Sequence, residues 1–192
     1  MNLFIPLTES NHHRLDFRTN KRVSSLPDEL LSLGITTEMV NACSLPCHQE
    51  ATELVDSGTD IFGRAQKMTP ETLNAWRKMV TSAKIDGIEL QLVSAYRSIE
   101  YQCDLIKGKI REGRTIEDIL RSNAIPGYSE HHTGRAIDLH SGNTLPLNED
   151  FENTPAFAWL NDNASKFNFV LSYPRENTLA IKYEPWHWCY QI

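Results

Sequence analysis

The sequence predicts an α+β fold in which helices pack against one side of an antiparallel sheet. Residues 69–84 and 154–167 carry apolar side chains at the spacing of amphipathic helices. Residues 88–92, 135–139 and 169–171 are short alternating or apolar runs of the kind that form strands. We therefore expect one core, built between these helices and the sheet.

Length and composition indicate one globular domain with an extension. The 192 residues are too few for two ordinary domains, and a content of 40% hydrophobic and 23% charged residues is typical of globular proteins. The net charge of -6 and the dispersed basic residues disfavour a nucleic-acid partner. No apolar run has the length of a membrane span, and the oligomeric state stays unknown.

The first residues and the cysteines bear on location. Residues 1–7 have no basic region, Pro6 interrupts their apolar run, and no small-residue cleavage site follows, so they do not look like a signal peptide. The four cysteines are not needed as disulfides in a domain of this size. We expect a cytoplasmic protein, with a periplasmic location or export by a non-standard route left open.

Residues 1–67 are expected to form a partly helical extension, and residues 68–192 the main domain. Within the extension, residues 25–31 begin like a helix, with Pro27 and acidic side chains in the first turn. A second helical stretch is expected from residue 37 to residue 55, interrupted or restarted near Pro46.

Two groups of possible metal ligands in the extension are better explained as structural. His12 and His13 are adjacent and therefore point in different directions, which favours a solvated segment. Cys43, Cys47 and His48 show a single spacing without a second pair of ligands, so thiols in the core on a helix face are the preferred interpretation.

The main domain is predicted to open with a capped helix and a strand. Thr69 and Pro70 are a typical helix start, and Gly87 ends this helix. The alternation of residues 88–92 then predicts a half-buried strand that brings Arg97 to its end.

The later elements follow from caps and short apolar runs. Further helices are expected to begin after Ser98, Thr115 and Thr154. The other predicted elements are a strand at 135–139, a loop at 143–153, a strand pair at 169–171 and 179–181, and a last strand that carries Glu184 and His187.

Two segments contain the residue types of a hydrolytic metal site. His131 and Asp138 could supply two of three protein ligands, because such a site combines imidazole nitrogens with a hard carboxylate. Residues 183–188 offer a further imidazole, His187, and three positions earlier Glu184, a possible general base. Arg97 could bind a carboxylate with two parallel hydrogen bonds, but this motif alone favours an ordinary surface arginine.

Three segments together resemble one known family. The pattern S-x-H-x-x-G-x-A-x-D is met by residues 129–138, E-x-W-H by residues 184–187, and Y-R-S-x-x-x-Q by residues 96–102. Along the chain these segments occur in the order of one family, and together they resemble the zinc D-Ala-D-Ala peptidases of the LAS superfamily, which includes the hedgehog signalling domain. Within this superfamily they resemble the D,D-carboxypeptidases of the vancomycin-resistance type. The resemblance covers about the last two thirds of the chain, from near residue 68.

The resemblance implies a hedgehog-like and D-Ala-D-Ala-peptidase-like fold whose antiparallel sheet carries one Zn²⁺ per chain. Its implied ligands are His131, Asp138 and His187. Glu184 takes the role of general base, and Arg97 that of a residue that binds substrate and stabilises the transition state. Further substrate-binding positions implied by the family are Gln102, Ser129, Tyr173 and Trp186. His132 and His140 have no place in the family's ligand set, and His140 is interpreted as a packed histidine or one that supports a ligand.

The implied reaction is removal of the C-terminal D-Ala from a peptidoglycan stem peptide or muropeptide. Three alternatives stay open: an endopeptidase of the phage-lysin kind, an L,D-carboxypeptidase, and a non-catalytic zinc-containing binding module. The presence of Glu184 and Arg97 argues against the last of these.

Overall fold

A computed structural model describes residues 26–179 and 181–192 of the chain. His12 and His13 lie outside the described residues. The strands are β1 (Val55–Thr59), β2 (Ala65–Met68), β3 (Gln91–Ser94), β4 (Ala136–His140), β5 (Phe169–Leu171) and β6 (His187–Tyr190). β1 and β2 form a hairpin, and the other four form an antiparallel sheet in the order β3-β4-β6-β5. The predicted α+β class with an antiparallel sheet is confirmed.

The described part of the chain contains six α-helices. They are α1 (Asp28–Ser32), α2 (Thr37–Ala42), α3 (Pro70–Ile85), α4 (Ile99–Arg111), α5 (Ile116–Ile119) and α6 (Pro155–Asn163). Short 3₁₀ helices lie at Glu130–Thr133, Glu149–Asn153 and Ala164–Phe167. Among these described helices, none is both long enough and apolar enough to cross a bilayer.

The predicted helix starts are confirmed by their capping hydrogen bonds. The hydroxyls of Thr69, Ser98, Thr115 and Thr154 each accept the backbone N–H three residues later, at 3.0 to 3.3 Å. Each bond satisfies one of the donors that the first turn of a helix leaves free. These local signals explain why the starts of four helices could be predicted from sequence.

The main core lies between the sheet and helices α3 and α6. Met79 and Ala83 of α3 and Leu160 of α6 pack against Ile137 and Leu139 of β4, and all five are at most 1% exposed. β4 is buried at every residue because it is a central strand, so the expected alternation of residues 135–139 is absent.

A second core joins the extension to the main domain. Leu30 and Ile35 pack with Ile106 of α4 and Ile119 of α5 in one buried cluster. Residues on both sides of position 67 thus share buried surface, and the division into residues 1–67 and 68–192 stays a prediction.

The segment between α2 and the hairpin differs from the predicted helix. α2 ends at Ala42, and Cys43 already has extended backbone with φ -68° and ψ 123°. Pro46 has no N–H to continue a helix and favours extended backbone before it. Cys43 and Cys47 therefore do not lie on a helix face, and Val55 begins a strand.

The predicted strand at 179–181 is also absent from the described residues. Leu179 and Ile181 lie outside any strand, and Ala180 is not described. The Asn177 side chain accepts the N–H of Leu179 at 3.0 Å and donates to the carbonyl of Ile181 at 3.0 Å. These two bonds close a loop, in which the backbone is bonded to a side chain and not to a neighbouring strand. β5 pairs with β6.

Candidate metal centre and active-site cleft

Three buried side chains from three parts of the chain converge beside the sheet. Nε2 of His131 lies 3.2 Å from Oδ2 of Asp138, and Nδ1 of His187 lies 3.0 Å from Oδ1 of the same carboxylate. One ligand atom from each residue lies within 4.8 Å of the other two, and each residue is at most 4% exposed. In the described part of the chain this is the one such group of His, Cys, Asp or Glu.

Strand pairing brings two of these side chains together. Asp138 of β4 faces His187 of β6 directly in the antiparallel ladder, although 49 positions separate them in sequence. Ser94 of β3 pairs with Asp138 from the other side. The carboxylate therefore stands in the middle of three neighbouring strands.

The 3₁₀ helix at Glu130–Thr133 delivers His131, and Gly134 ends it. Gly134 has a left-handed φ of 67°, and a Cβ there would lie 3.0 Å from Leu54 and 3.2 Å from Thr69. Both the backbone angle and the space require glycine at this bend. The structure thus explains the glycine of the S-x-H-x-x-G-x-A-x-D pattern.

The orientation of His131 is fixed by the end of β3. Nδ1 of His131 lies 2.6 Å from the carbonyl oxygen of Ala95, so this nitrogen carries the proton and Nε2 faces Asp138 with its lone pair. The N–H of Ala95 donates to Oε1 of Gln66 on β2 at 2.9 Å. Gln66 was not identified from sequence, because its contact depends on how the hairpin packs.

A second acidic side chain, Glu130, contacts the other nitrogen of His187. Oε2 of Glu130 lies 2.9 Å from Nε2 of His187, which leaves Nδ1 directed at Asp138. Burial raises the pKa of Glu130, but the hydrogen bond to His187 and the charge of His187 lower it by more. The resulting pKa is about 2. Sequence reasoning missed Glu130, and its position next to His131 was the one available signal.

Glu184 lies beside the cluster without the position of a ligand. Its Oε2 is 3.9 Å from Nδ1 of His187, and its side chain is 13% exposed. Burial raises the pKa of Glu184 to about 7, against the opposing charge of His187. A carboxylate with a pKa near neutrality is suited to accept and return a proton.

Arg97 lies beside the cluster, and hydrogen bonds fix both its backbone and its side chain. Its guanidinium donates to Gln102 Oε1 at 2.9 Å and to Ser94 Oγ at 3.3 Å, and it lies 3.7 Å from Asp138 Oδ2. Its N–H donates to the carbonyl of His131 at 3.2 Å. The structure therefore brings Arg97 to the candidate site, where the motif alone had favoured a surface residue.

The other two histidines of the segment have supporting positions. Nε2 of His132 accepts the N–H of Gly127 at 3.1 Å, so Nδ1 donates to the carbonyl of Arg97, 2.6 Å away. Burial lowers the pKa of His132 to about 4, which keeps this ring neutral. His140 lies 3.2 Å from the carbonyl of Gly142 and is a packed histidine, one of the two interpretations made from sequence.

The cluster opens into a cleft of about 370 Å³. Of the predicted substrate-binding residues, Ser129, Tyr173 and Trp186 line this cleft. The Tyr173 ring lies 4.8 Å from that of His187. Gln102 is fully buried outside the lining, and its amide is bonded to Arg97 and to the carbonyl of Ala124. Its direct contact with a substrate stays a prediction, and its position in the structure is that of a support for Arg97.

The donor set fits zinc. Two imidazole nitrogens and one carboxylate are typical of catalytic zinc sites, which leave one position open. Ligands at about 2.0–2.1 Å from a tetrahedral zinc lie about 3.3 Å apart. The two contacts of Asp138, at 3.0 and 3.2 Å, are close to this spacing.

Comparison with known proteins agrees with this geometry. The family VanY, D-alanyl-D-alanine carboxypeptidase, matches residues 65–192. YodJ of Bacillus subtilis (strain 168), named as a carboxypeptidase, is 36% identical over 153 residues, which are 75% of this chain and 55% of YodJ. The chain spans about half the length of the curated relatives that it matches.

Two solved structures share the fold. The LdcB LD-carboxypeptidase superposes with a TM-score of 0.66 and 33% identity, over 74% of this chain and 70% of that chain. A mutant of the vancomycin-resistance D,D-pentapeptidase VanY of a VanB-type cassette, in complex with Zn(II), has a TM-score of 0.58 and 24% identity, over 74% of this chain and 80% of that chain. The likeness to this second structure concerns the fold alone. The resemblance drawn from three sequence segments is confirmed, and because the family model matches well over half of the chain, the protein belongs to the VanY family of D-alanyl-D-alanine carboxypeptidases.

Proposed function

We propose that the chain is a zinc-dependent carboxypeptidase that removes the C-terminal D-Ala of peptidoglycan stem peptides. The observation that carries the proposal is the cluster of His131, Asp138 and His187 with Glu184 beside it in one cleft. Family membership and the names of the relatives support the choice of substrate.

One zinc ion would be held by Nε2 of His131, the Asp138 carboxylate and Nδ1 of His187. When bound, zinc supplies Lewis acidity and lowers the pKa of water, which provides a nucleophile at neutral pH. Ala95 and Glu130 hold the two imidazoles by their other nitrogens, in the manner of groups that orient metal-binding histidines.

Glu184 is the proton carrier in this proposal. Its carboxylate takes a proton from the attacking water and passes it to the leaving amine of the terminal D-Ala. Burial of Glu184 favours this exchange, because it brings the pKa of the carboxyl close to neutrality.

Arg97 stabilises the negative charge that develops on the scissile carbonyl oxygen. Its guanidinium is held beside Asp138 by Gln102 and Ser94, so it does not need to reorganise during the reaction. A preorganised donor of this kind typically contributes a few kcal/mol, about 2.7 to 4 in known cases.

A second candidate is removal of the D-residue from a tetrapeptide by an L,D-carboxypeptidase. This candidate is favoured by the 33% identity to the LdcB LD-carboxypeptidase over most of the described domain. The two activities use the same chemistry and differ in which residue precedes the scissile bond.

Mass spectrometry of muropeptides incubated with zinc-loaded protein separates these functions. Chelator-sensitive loss of one alanine from pentapeptides is the expected result. Loss of alanine from tetrapeptides alone would favour the L,D-activity, and cleavage only of intact cross-linked sacculi would favour an endopeptidase. Bound zinc without hydrolysis of any muropeptide would favour the non-catalytic binding module.

A further inference from the structure

The cleft contains a half-buried lysine that the chemistry above does not use. Lys109 lies near the end of α4 and lines the same cleft as the metal cluster. Its ammonium donates to Oδ1 of Asn123 at 2.5 Å, and Asn123 is also a lining residue. In the part of the chain that the structure describes, no carboxylate forms an ion pair with Lys109.

A partly buried ammonium lowers the stability of the protein unless an anion lies next to it. Burial lowers the pKa of the Lys109 ammonium, and the positive charges of Arg114 and Arg97 lower it further, while Glu112 and Glu184 raise it. A partly desolvated charge with a neutral partner is poorly compensated. The ammonium has three donors, and the bond to Asn123 occupies one of them.

Arg97 is less suited than Lys109 to bind an anionic group of the substrate, because its guanidinium already has partners. Gln102 and Ser94 accept its hydrogen bonds, and Asp138 lies 3.7 Å away. The Gln102 amide is satisfied on both of its polar atoms. Arg97 is thus held toward the metal cluster, where the scissile carbonyl would lie.

We propose that Lys109, held by Asn123, binds the free C-terminal carboxylate of the substrate, while Arg97 acts on the scissile carbonyl. The inference rests on the proposed carboxypeptidase function and assigns its exopeptidase specificity to a residue of α4. Lys109 is a better candidate than Lys182, the other lysine of the cleft. Lys182 is exposed, so water screens its charge more strongly.

Binding can be measured without turnover by placing all variants in a Glu184→Gln background. Calorimetry with zinc-loaded protein compares an acetylated peptide that ends in D-Ala-D-Ala with the same peptide as a C-terminal amide. We expect the parent to bind the acid at least ten times more tightly than the amide. Lys109→Met should abolish this preference by weakening only the acid, and Lys109→Arg should retain most of it.

Two lysines provide matched controls for the charge removed. Lys107→Met changes an exposed lysine of the same helix, whose side chain is 48% exposed, and should keep the preference. Lys182→Met should also keep it. A preference that survives Lys109→Met, or that disappears in Lys182→Met instead, overturns the proposal, as does a parent that binds acid and amide equally.

Hydrolysis by the wild-type protein is assayed in parallel. Failure to cleave any stem peptide would contradict the proposed function, whereas the binding comparison still decides the role of Lys109. Zinc content and circular dichroism of each variant show whether a lost preference reflects an unfolded protein.

Discussion

Glu130 and His187 form a hydrogen-bonded pair behind the metal cluster, with Oε2 of Glu130 2.9 Å from Nε2 of His187. The opposite nitrogen of the same ring faces Asp138 at 3.0 Å. Glu130 thus decides which nitrogen of His187 is available as a ligand and makes that nitrogen a stronger donor. The 3₁₀ helix that supplies the candidate ligand His131 also supplies this support.

Replacement of Glu130 by glutamine should weaken metal binding. Loss of the carboxylate removes the charge that orients the imidazole, and groups of this kind typically change metal affinity by about 10- to 100-fold. Zinc affinity measured by competition with a chelator checks this prediction. Glu100→Gln, on the exposed surface of α4, is the control. An unchanged zinc affinity in Glu130→Gln would remove the assigned role.

Gln66→Leu should weaken the support of His131 indirectly, through Ala95. The buried N–H of Ala95 would lose its acceptor, at a cost of about 1–3 kcal/mol in the free energy of unfolding. Because the carbonyl of the same residue orients His131, zinc affinity should also fall. Chelator competition well below the melting temperature separates this effect from unfolding.

Gln91→Leu is the matched control for Gln66→Leu. Gln91 lies on β3, and its amide bonds to the Glu89 side chain. Equal zinc affinity in both variants would show that Gln66 supports only the fold.

Glu184→Gln should retain zinc and lose turnover. The amide cannot accept the proton of the attacking water, and loss of a general base typically lowers kcat by about 10²- to 10⁴-fold. Activity of the wild type should rise with pH through the pKa of Glu184, because only the ionised carboxylate accepts a proton. Bound zinc would add a positive charge nearby and would lower that pKa from about 7.

The control for this variant is Glu176→Gln, in an exposed loop. Steady-state kinetics and zinc content are measured for both proteins. Full activity of Glu184→Gln would assign the base to another residue.

Asp60→Asn should destabilise the protein near neutral pH. The Asp60 carboxylate is fully buried and accepts hydrogen bonds from the N–H groups of Phe62 and Arg64 and from the side chains of Arg64 and Gln66. Burial raises its pKa, but these bonds and the Arg64 charge together lower it below the ordinary 3.8. Loss of the charged acceptor should cost about 1–3 kcal/mol in the free energy of unfolding.

The sign of the pH dependence follows from the lowered pKa. The stabilisation by ionised Asp60 is fully present above about pH 4 and is lost as pH falls through the pKa of the folded protein. Urea unfolding at several pH values should therefore show that wild type and Asp60→Asn converge in acid. The exposed Asp162→Asn is the control, and a constant difference at every pH would contradict the prediction.

Local signals explain what could be predicted from sequence. Thr69, Ser98 and Thr154 act within three residues of themselves, so their caps are visible in the chain. The candidate metal ligands were predicted because three short segments have a family's spacing, and the structure places these three side chains together. The β1–β2 hairpin had no such signal, since Val55–Thr59 is mostly exposed and lacks a regular apolar alternation.

The supports of the site depend on contacts between distant segments. Gln66 reaches Ala95 across 29 positions, and Glu130 reaches His187 across 57. The one signal in the sequence is the position of Glu130 next to His131, and residue type does not distinguish these side chains from other polar residues. The same holds for Lys109, whose place in the cleft follows from the packing of α4 against the segment around Asn123.

The direct pairing of Asp138 with His187 across β4 and β6 makes their separation independent of the length of chain between them. A slip of one residue would turn one of the two side chains to the opposite face, whereas insertions in the intervening loops leave the ladder unchanged. The loop at residues 141–149 can therefore change in length without moving this pair, whereas residues 172–186 also carry Tyr173, Glu184 and Trp186 of the cleft. Grafting the first loop between relatives offers a route to alter peptide preference while the pair of Asp138 and His187 is kept.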